Sequence, residues 1–238
     1  MSNSPVGSGD ALDAEQQISQ VYQVGRHRFM GLELEVAPGA LVPRAETELL
    51  GTTAVRILNE RGSGQRAIDM CCGSGNLACG VAAAICDLQV WASDLTDETV
   101  QLSRRNVDRL KLSSRVRVSQ GDLFAGLAGL HLEGSIDVVI CNPPYISEAR
   151  LASDRAHLLE HEPREAFDGG PYGLSIHQRV IKEALPFLKP DGWLLFEMGL
   201  GQEQQLSFLF RRAKAYGDVQ FINDAAGAPR VAFAQRQG

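Results

Sequence analysis

The chain has 238 residues, 44% of them hydrophobic and 22% charged, with a formal net charge of −6 from 23 Lys and Arg against 29 Asp and Glu. That is an ordinary soluble composition, long enough to bury one large core, and no apolar run approaches the roughly 18 residues of a membrane span. An acidic chain without a long basic run is poorly suited to holding a phosphate backbone, so neither a membrane nor nucleic acid is the expected partner.

Residues 1–20 read as a flexible polar tail opening with "MSNSPVGSGD", with a short helix around "ALDAEQQISQVY". The opening has no signal-peptide pattern, so a cytoplasmic location is expected. Residues 21–45 form a leading segment. Within it, "RHRFMGLELEVAPGALVP" alternates apolar and polar residues through Phe29, Leu32, Leu34 and Val36, with Pro38-Gly39 as a turn. Period-two alternation with a Pro-Gly turn predicts a β-hairpin. Residues 46–238 read as a single α/β domain that opens on the helical pattern "AETELLGTTAVRILNE", stopped by "RGSG".

From Ala67 the pattern becomes strand, loop, helix, repeated. "AIDMC" is a strand, "GSGNLACGVAAAI" a glycine loop opening an Ala-rich helix, "LQVWASD" a strand and "ETVQLSRRNVDRLKL" a helix. "RVRVSQGDLF" and "SIDVVICNPPY" supply two strands with a loop or weak helix between them. "SIHQRVIKEALPFL" is a helix, "KPDG" a turn and "WLLFEMG" a strand. "QEQQLSFLFRRAKAY" is the last helix, before a closing strand pair, "VQFIND" and "RVAFAQR". Alternation at this spacing predicts a mostly parallel sheet covered on both faces. Cys71, Cys72, Cys79, Cys86 and Cys141 lie in apolar surroundings without a CxxC pair. They read as small core residues, and no metal site is expected.

The glycine loop contains Gly73-x-Gly75-x-x-Ala78 at a strand-to-helix junction, where a ligand can approach bare backbone. Asp94 ends the next strand, nineteen residues after Gly75, placed to accept hydrogen bonds from ribose hydroxyls. Alone, this pairing fits NAD as well as S-adenosylmethionine. Asp69, four residues before Gly73, suits a cationic aminoacyl group and would repel a pyrophosphate. Asp122 ends the third strand and can accept from an adenine amine, with Leu123 or Phe124 beside the ring. These three carboxylates share one rim of the sheet.

Asn142-Pro143-Pro144-Tyr145 ends the fourth strand at that rim. An amide or aromatic amine nitrogen is a poor nucleophile because its lone pair is delocalised. Two acceptors aimed at its N–H bonds orient it and offset the positive charge that grows as a methyl group arrives. The Asn142 side-chain oxygen and the Pro143 carbonyl can be those acceptors. The prolines hold that carbonyl out of the sheet, and Tyr145 can stack on the planar group.

With these residues in place, the chain resembles the class I S-adenosylmethionine-dependent methyltransferases, and more closely the HemK/PrmC family of protein-(glutamine-N5) methyltransferases that modify peptide chain release factors. The resemblance runs from about Tyr22 to Arg236 and includes "GLELEVAPGALVPRAETELL", "GDLF", "NPPYIS", "EPREAFDGGPYGL", "LKPDGWLLFEMGLGQ" and "DAAGAPRVAF". It implies a Rossmann-like domain with a seven-stranded, mostly parallel sheet, and S-adenosylmethionine as cofactor. Asp69, Gly73, Gly75, Asp94, Asp122 and Leu123 are implied cofactor contacts. Asn142, Pro143 and Tyr145 are implied catalytic residues, Asn142 also touching the cofactor. Arg44, Glu46, Thr47, Pro144 and Glu162 are implied on the acceptor side, with Pro163 and Arg164 in the same loop as Glu162. For Glu162 and Arg164 the plain alternative is a loop-fixing ion pair.

The chain departs from the family in having Ala45 for a usual proline and Cys71-Cys72 in the glycine loop. About 20 residues stand before the hairpin where the family has a helical domain that helps recognise the release factor. A protein glutamine amide is therefore the leading acceptor. A small molecule methylated on N or O is the alternative. A non-catalytic module and a nucleic-acid adenine methyltransferase are less favoured, the latter because it needs a base-flipping surface.

Overall fold

Strands β1 (Arg26–Phe29) and β2 (Leu32–Glu35) form an antiparallel hairpin in the computed structural model, which describes residues 18–153 and 155–238. Residues 18–24, before it, are helical, and the rest of the expected tail lies outside the described residues. The hairpin turn is Met30-Gly31, with φ of 47° and 77°, and not Pro38-Gly39. Two successive positive φ values give the tight turn whose twist matches the strands, so Pro38-Gly39 makes a separate bend further on. Phe29 and Leu34 anchor the hairpin in the core. Met30 lies so close to Gly51 and Gly80 that a Cβ on either would come within 2.4 and 2.6 Å of its sulfur.

The seven remaining strands are β3 (Arg66–Met70), β4 (Gln89–Asp94), β5 (Val116–Gln120), β6 (Ile136–Cys141), β7 (Leu188–Glu197), β8 (Gln220–Asn223) and β9 (Pro229–Gln235). They form one sheet in the order β5-β4-β3-β6-β7-β9-β8. The first five pair in parallel; β9 runs antiparallel between β7 and β8. Strand β7 starts earlier than "WLLFEMG", because the expected "KPDG" turn is absorbed into it, with Asp191 at φ 62°.

Helices α1 (Thr47–Glu60), α2 (Asn76–Ala84) and α3 (Asp97–Arg109) cover one face, and α5 (Ser175–Glu183) and α6 (Glu203–Ala213) the other. A short helix α4 (Glu148–Leu151) lies in the loop after β6. Alternate strand residues serve the two faces: Ala67, Val138 and Ile140 join the first core cluster, and Ile68, Met70 and Val139 the second. Every residue of β6 is buried, as a central parallel strand between two helical layers requires. Fully burying each such aliphatic side chain contributes about 1.5–3 kcal/mol. Among the described residues no helix is long and apolar enough to cross a membrane. Not every cysteine is core: Cys86 is exposed and Cys71 half-buried, since both fall in loops beyond their elements.

The chain leaves β3 toward β4 on one side and returns through β6 on the other. That reversal opens a crevice at the carboxyl ends of β3 and β6, where ligands of open α/β sheets bind.

Candidate active site

A cavity of about 350 Å³ lies in this crevice, bordered by the glycine loop, Asp94, Asp122, Leu123, Asn142 and the leading segment from Gly39 to Thr47. The loop that closes it winds through the left-handed region at Cys71, Gly73 and Gly75, with φ of 59°, 53° and 76°. The two glycines do different work. Gly73 borders the cavity, and a Cβ there would meet nothing within 4 Å, so its backbone is open to a ligand. A Cβ on Gly75 would come within 2.3 Å of the Ser103 hydroxyl, so this glycine lets α3 approach α2 and does not border the cavity.

Asp94 ends β4 at the cavity wall. Its Oδ2 accepts from the Gly73 amide at 2.7 Å, and its Oδ1 from the Leu95 amide and the Thr99 hydroxyl, both at 2.8 Å. Ionised carboxylates offer about four lone-pair sites, so acceptor capacity remains for a ligand. Asp69 sits elsewhere than expected. It is fully buried beneath the loop and does not border the cavity; its Oδ2 accepts from the Ala78 amide in the first turn of α2 at 2.8 Å. Its Oδ1 has no partner among the described residues, and burial pushes its carboxyl up to about 8. Asp122 borders the cavity, but its carboxylate is gripped at 2.9 and 3.1 Å by both terminal nitrogens of Arg179 on α5. Leu123 beside it is buried at φ 50°.

Asn142 follows the fully buried β6 and stands at the wall between this cavity and a second one of about 250 Å³. Its Nδ2 donates to the Thr47 hydroxyl at 3.3 Å, and Thr47 donates in turn to Glu197 Oε2 at 2.6 Å. The Tyr145 hydroxyl donates to the other oxygen, Glu197 Oε1, at 3.1 Å. Pro143 is buried and borders neither cavity; Pro144 borders the first and Tyr145 the second. Gln202 secures the motif from behind, donating to the Tyr145 carbonyl at 3.0 Å and the Gly173 carbonyl at 3.2 Å. Burial, with the Glu197 charge next, pushes the Tyr145 hydroxyl up, and burial likewise raises the Glu197 carboxyl.

Where the leading segment runs into α1, Arg44 borders both cavities and Thr47 the first, whereas Glu46 borders only the second and pairs with Arg230 at 3.0 Å. Glu162 borders neither. Its buried carboxylate accepts from the Val42 amide at 2.9 Å and pairs with Arg44, so it fixes the wall from outside. The alternative pairing of Glu162 with Arg164 is not formed: Arg164 pairs with Asp168 at 2.9 Å, four residues on. Glu197 and Gln202 escaped the residue-by-residue reading. A single carboxylate ending the apolar strand "WLLFE" at the same rim was the available signal for Glu197, the logic already applied to Asp94.

An open-sided Gly73, a carboxylate at the cavity wall in Asp94 and a largely apolar cavity within the usual range of about 300–1,000 Å³ suit S-adenosylmethionine. Residues 47–171 match the family model described as methyltransferase small domain. A methyltransferase from Pyrococcus furiosus, 19% identical, superposes with a TM-score of 0.62 over 95% of this chain and all of that one. The release factor-specific protein-(glutamine-N5) methyltransferase of Alicyclobacillus acidocaldarius, 23% identical, does so at 0.50 over 86% of this chain and all of that one. The protein is a class I methyltransferase, an enzyme that draws its methyl group from S-adenosylmethionine. Release factor glutamine methyltransferases from Gloeobacter violaceus and Moorella thermoacetica are 33% and 35% identical to it, each match covering 91% of this chain and 74% of the relative. The chain belongs to the release factor glutamine methyltransferase family.

Proposed function

We propose that this protein methylates the side-chain amide nitrogen of a glutamine in a protein acceptor, and that the acceptor is a peptide chain release factor. The observation that carries the reading is the position of Asn142 between two cavities, one behind the glycine loop and one walled by Tyr145. A donor on one side and an acceptor on the other meet at this side chain. When bound, S-adenosylmethionine supplies an electrophilic sulfonium methyl group.

Everything else falls to the chain's own residues. Gly73 would allow the cofactor close approach, Asp94 would accept from its ribose hydroxyls, and Asp122 and Leu123 would hold its adenine. Asn142 Oδ1, the oxygen left over once Nδ2 is committed to Thr47, accepts one amide N–H of the glutamine. The Pro143 carbonyl, between the cavity-lining Asn142 and Pro144 but bordering neither cavity itself, would turn toward the site as the acceptor binds and take the other. Both acceptors strengthen as positive charge develops on the nitrogen, which is differential stabilisation of the transition state. Tyr145 stacks on the amide plane. Arg44, Thr47 and Pro144 close the walls, and Glu46 and Glu162 hold them through Arg230 and Arg44.

The test is to incubate the protein with methyl-labelled S-adenosylmethionine and, separately, a bacterial release factor, lysate protein and a small-molecule extract. Label on a glutamine of the release factor is expected. Label confined to the small-molecule fraction overturns the protein-acceptor reading in favour of a small-molecule N- or O-methyltransferase.

A further inference from the structure

Glu197 touches Tyr145 of the motif directly and reaches Asn142 through Thr47. It ends β7 and is 1% exposed, with each carboxylate oxygen taking one hydroxyl proton: Thr47 on Oε2 at 2.6 Å and Tyr145 on Oε1 at 3.1 Å. A hydroxyl has a single proton. Once Thr47 gives its own to Glu197, it can only accept from Asn142, and Asn142 must turn its Nδ2 toward it, as found at 3.3 Å. The amide oxygen then points the other way.

We propose that Glu197 is a positioning residue that sets the direction of the hydrogen-bond chain Asn142–Thr47–Glu197–Tyr145 and thereby presents Asn142 Oδ1, not Nδ2, to the methyl acceptor. The proposal rests on the reading of Asn142 as the acceptor-holding residue. It makes the ionised carboxylate essential, because only an acceptor-only group forces both hydroxyls to donate. A protonated Glu197, or a glutamine in its place, offers donors. Thr47 is then free to give its proton to Asn142 Oδ1, and the amide can flip to face the substrate with two N–H groups. A flipped amide meets the acceptor's own N–H bonds donor to donor.

Burial favours protonation of Glu197, while Thr47, Tyr145 and the Arg230 guanidinium favour the charge and the Glu46 carboxylate opposes it; His177 meets the residue only at its main-chain carbonyl, at 3.1 Å. Burial outweighs these neighbours and leaves the carboxyl above its ordinary range, so acid should discharge it sooner than it would an exposed glutamate.

The experiment compares Glu197→Gln, Thr47→Val and the double variant, with release factor as acceptor and S-adenosylhomocysteine affinity read by calorimetry. Glu197→Gln should lower kcat at least tenfold, with KM and ligand affinity moving less than threefold, and should abolish the acid limb of the pH profile. Thr47→Val should lose a similar factor, the double variant no more than the worse single one, and Thr47→Ser should recover most of the loss. A residue that merely supports the fold gives additive losses and leaves the pH profile unchanged; that result, or wild-type kcat in Glu197→Gln, overturns the proposal.

A second readout needs no acceptor. In protein labelled with ¹⁵N-asparagine, the Asn142 side-chain NH₂ signal, assigned through its loss in Asn142→Ala, should shift in Glu197→Gln and in wild type as acid protonates Glu197. An unmoved signal overturns the proposal. A shifted signal without release factor methylation supports it and counts against the release factor reading alone.

Discussion

At the residue scale, Asp69 and Asp94 are two acidic strand ends with opposite tasks. Asp94 is a wall group, so Asp94→Ala should weaken S-adenosylmethionine binding at least tenfold by calorimetry, through the lost ribose acceptor and the released Gly73 amide. Unchanged affinity would remove the ribose assignment. Asp69 is a buried group whose folded-state pKa, about 8, lies above its ordinary 3.8. Its contribution to stability is fully present below pH 4 and is lost as pH rises through 8, because the unfolded chain releases the proton more readily. Asp69→Asn keeps an oxygen for the Ala78 amide and removes the charge. Its stability relative to wild type should climb between pH 5 and 8 with a slope of up to about 1.4 kcal/mol per pH unit, measured by urea unfolding. A flat difference across that range would show that Asp69 titrates normally.

At the element scale, the loop between β3 and α2 separates ligand approach from helix packing. Gly75→Ala must push Ser103 aside from 2.3 Å, with the Ser103 Cα only 3.3 Å away, and must hold φ at 76°. A loss of about 2–4 kcal/mol in unfolding free energy is expected. Gly73→Ala meets no neighbour and costs about 1 kcal/mol in strain alone, yet should lose cofactor affinity because its methyl enters the cavity. Equal stability losses at the two positions would contradict this division. On the opposite face, His177 ties α5 to β7, with Nε2 at 3.1 Å from the Glu197 carbonyl and its ring 5.0 Å from Phe196. Burial pulls its pKa down to about 4 from an ordinary 6.5, so the stability it contributes is present above pH 6.5 and is lost as pH falls toward 4. His177→Gln should flatten that acid decline in urea unfolding; an identical decline would place its origin elsewhere.

At the scale of the whole molecule, the hydrophobic periodicity and the glycine loop are enough to read a mostly parallel sheet, its helical layers and the rim that carries the site, while the count of seven strands is what the family resemblance implies. Strands such as "DVVIC" have one local solution, because a run apolar on both faces must lie between two layers. Partner choice was not legible in the same way. Glu162 meets Arg44 across the fold, and Arg179 meets Asp122, through contacts 118 and 57 residues apart that no local pattern encodes. The hairpin turn moved to Met30-Gly31 for a different reason: Pro-Gly is the stronger turn signal, but Phe29 and Leu34 both had to reach the core. The role of Glu197 is likewise set by distant partners, Thr47 and Tyr145, 150 and 52 residues away, where β9 and α1 enclose the end of β7.

At Asn142 the sheet's switch point delivers one amide between two cavities. The most direct measurement is Asn142→Ala, assayed for methyl transfer to release factor alongside calorimetric affinity for S-adenosylmethionine. Turnover should fall by a factor of about 10²–10³ or more while affinity stays within a few-fold of wild type. Turnover at the wild-type rate would contradict the account.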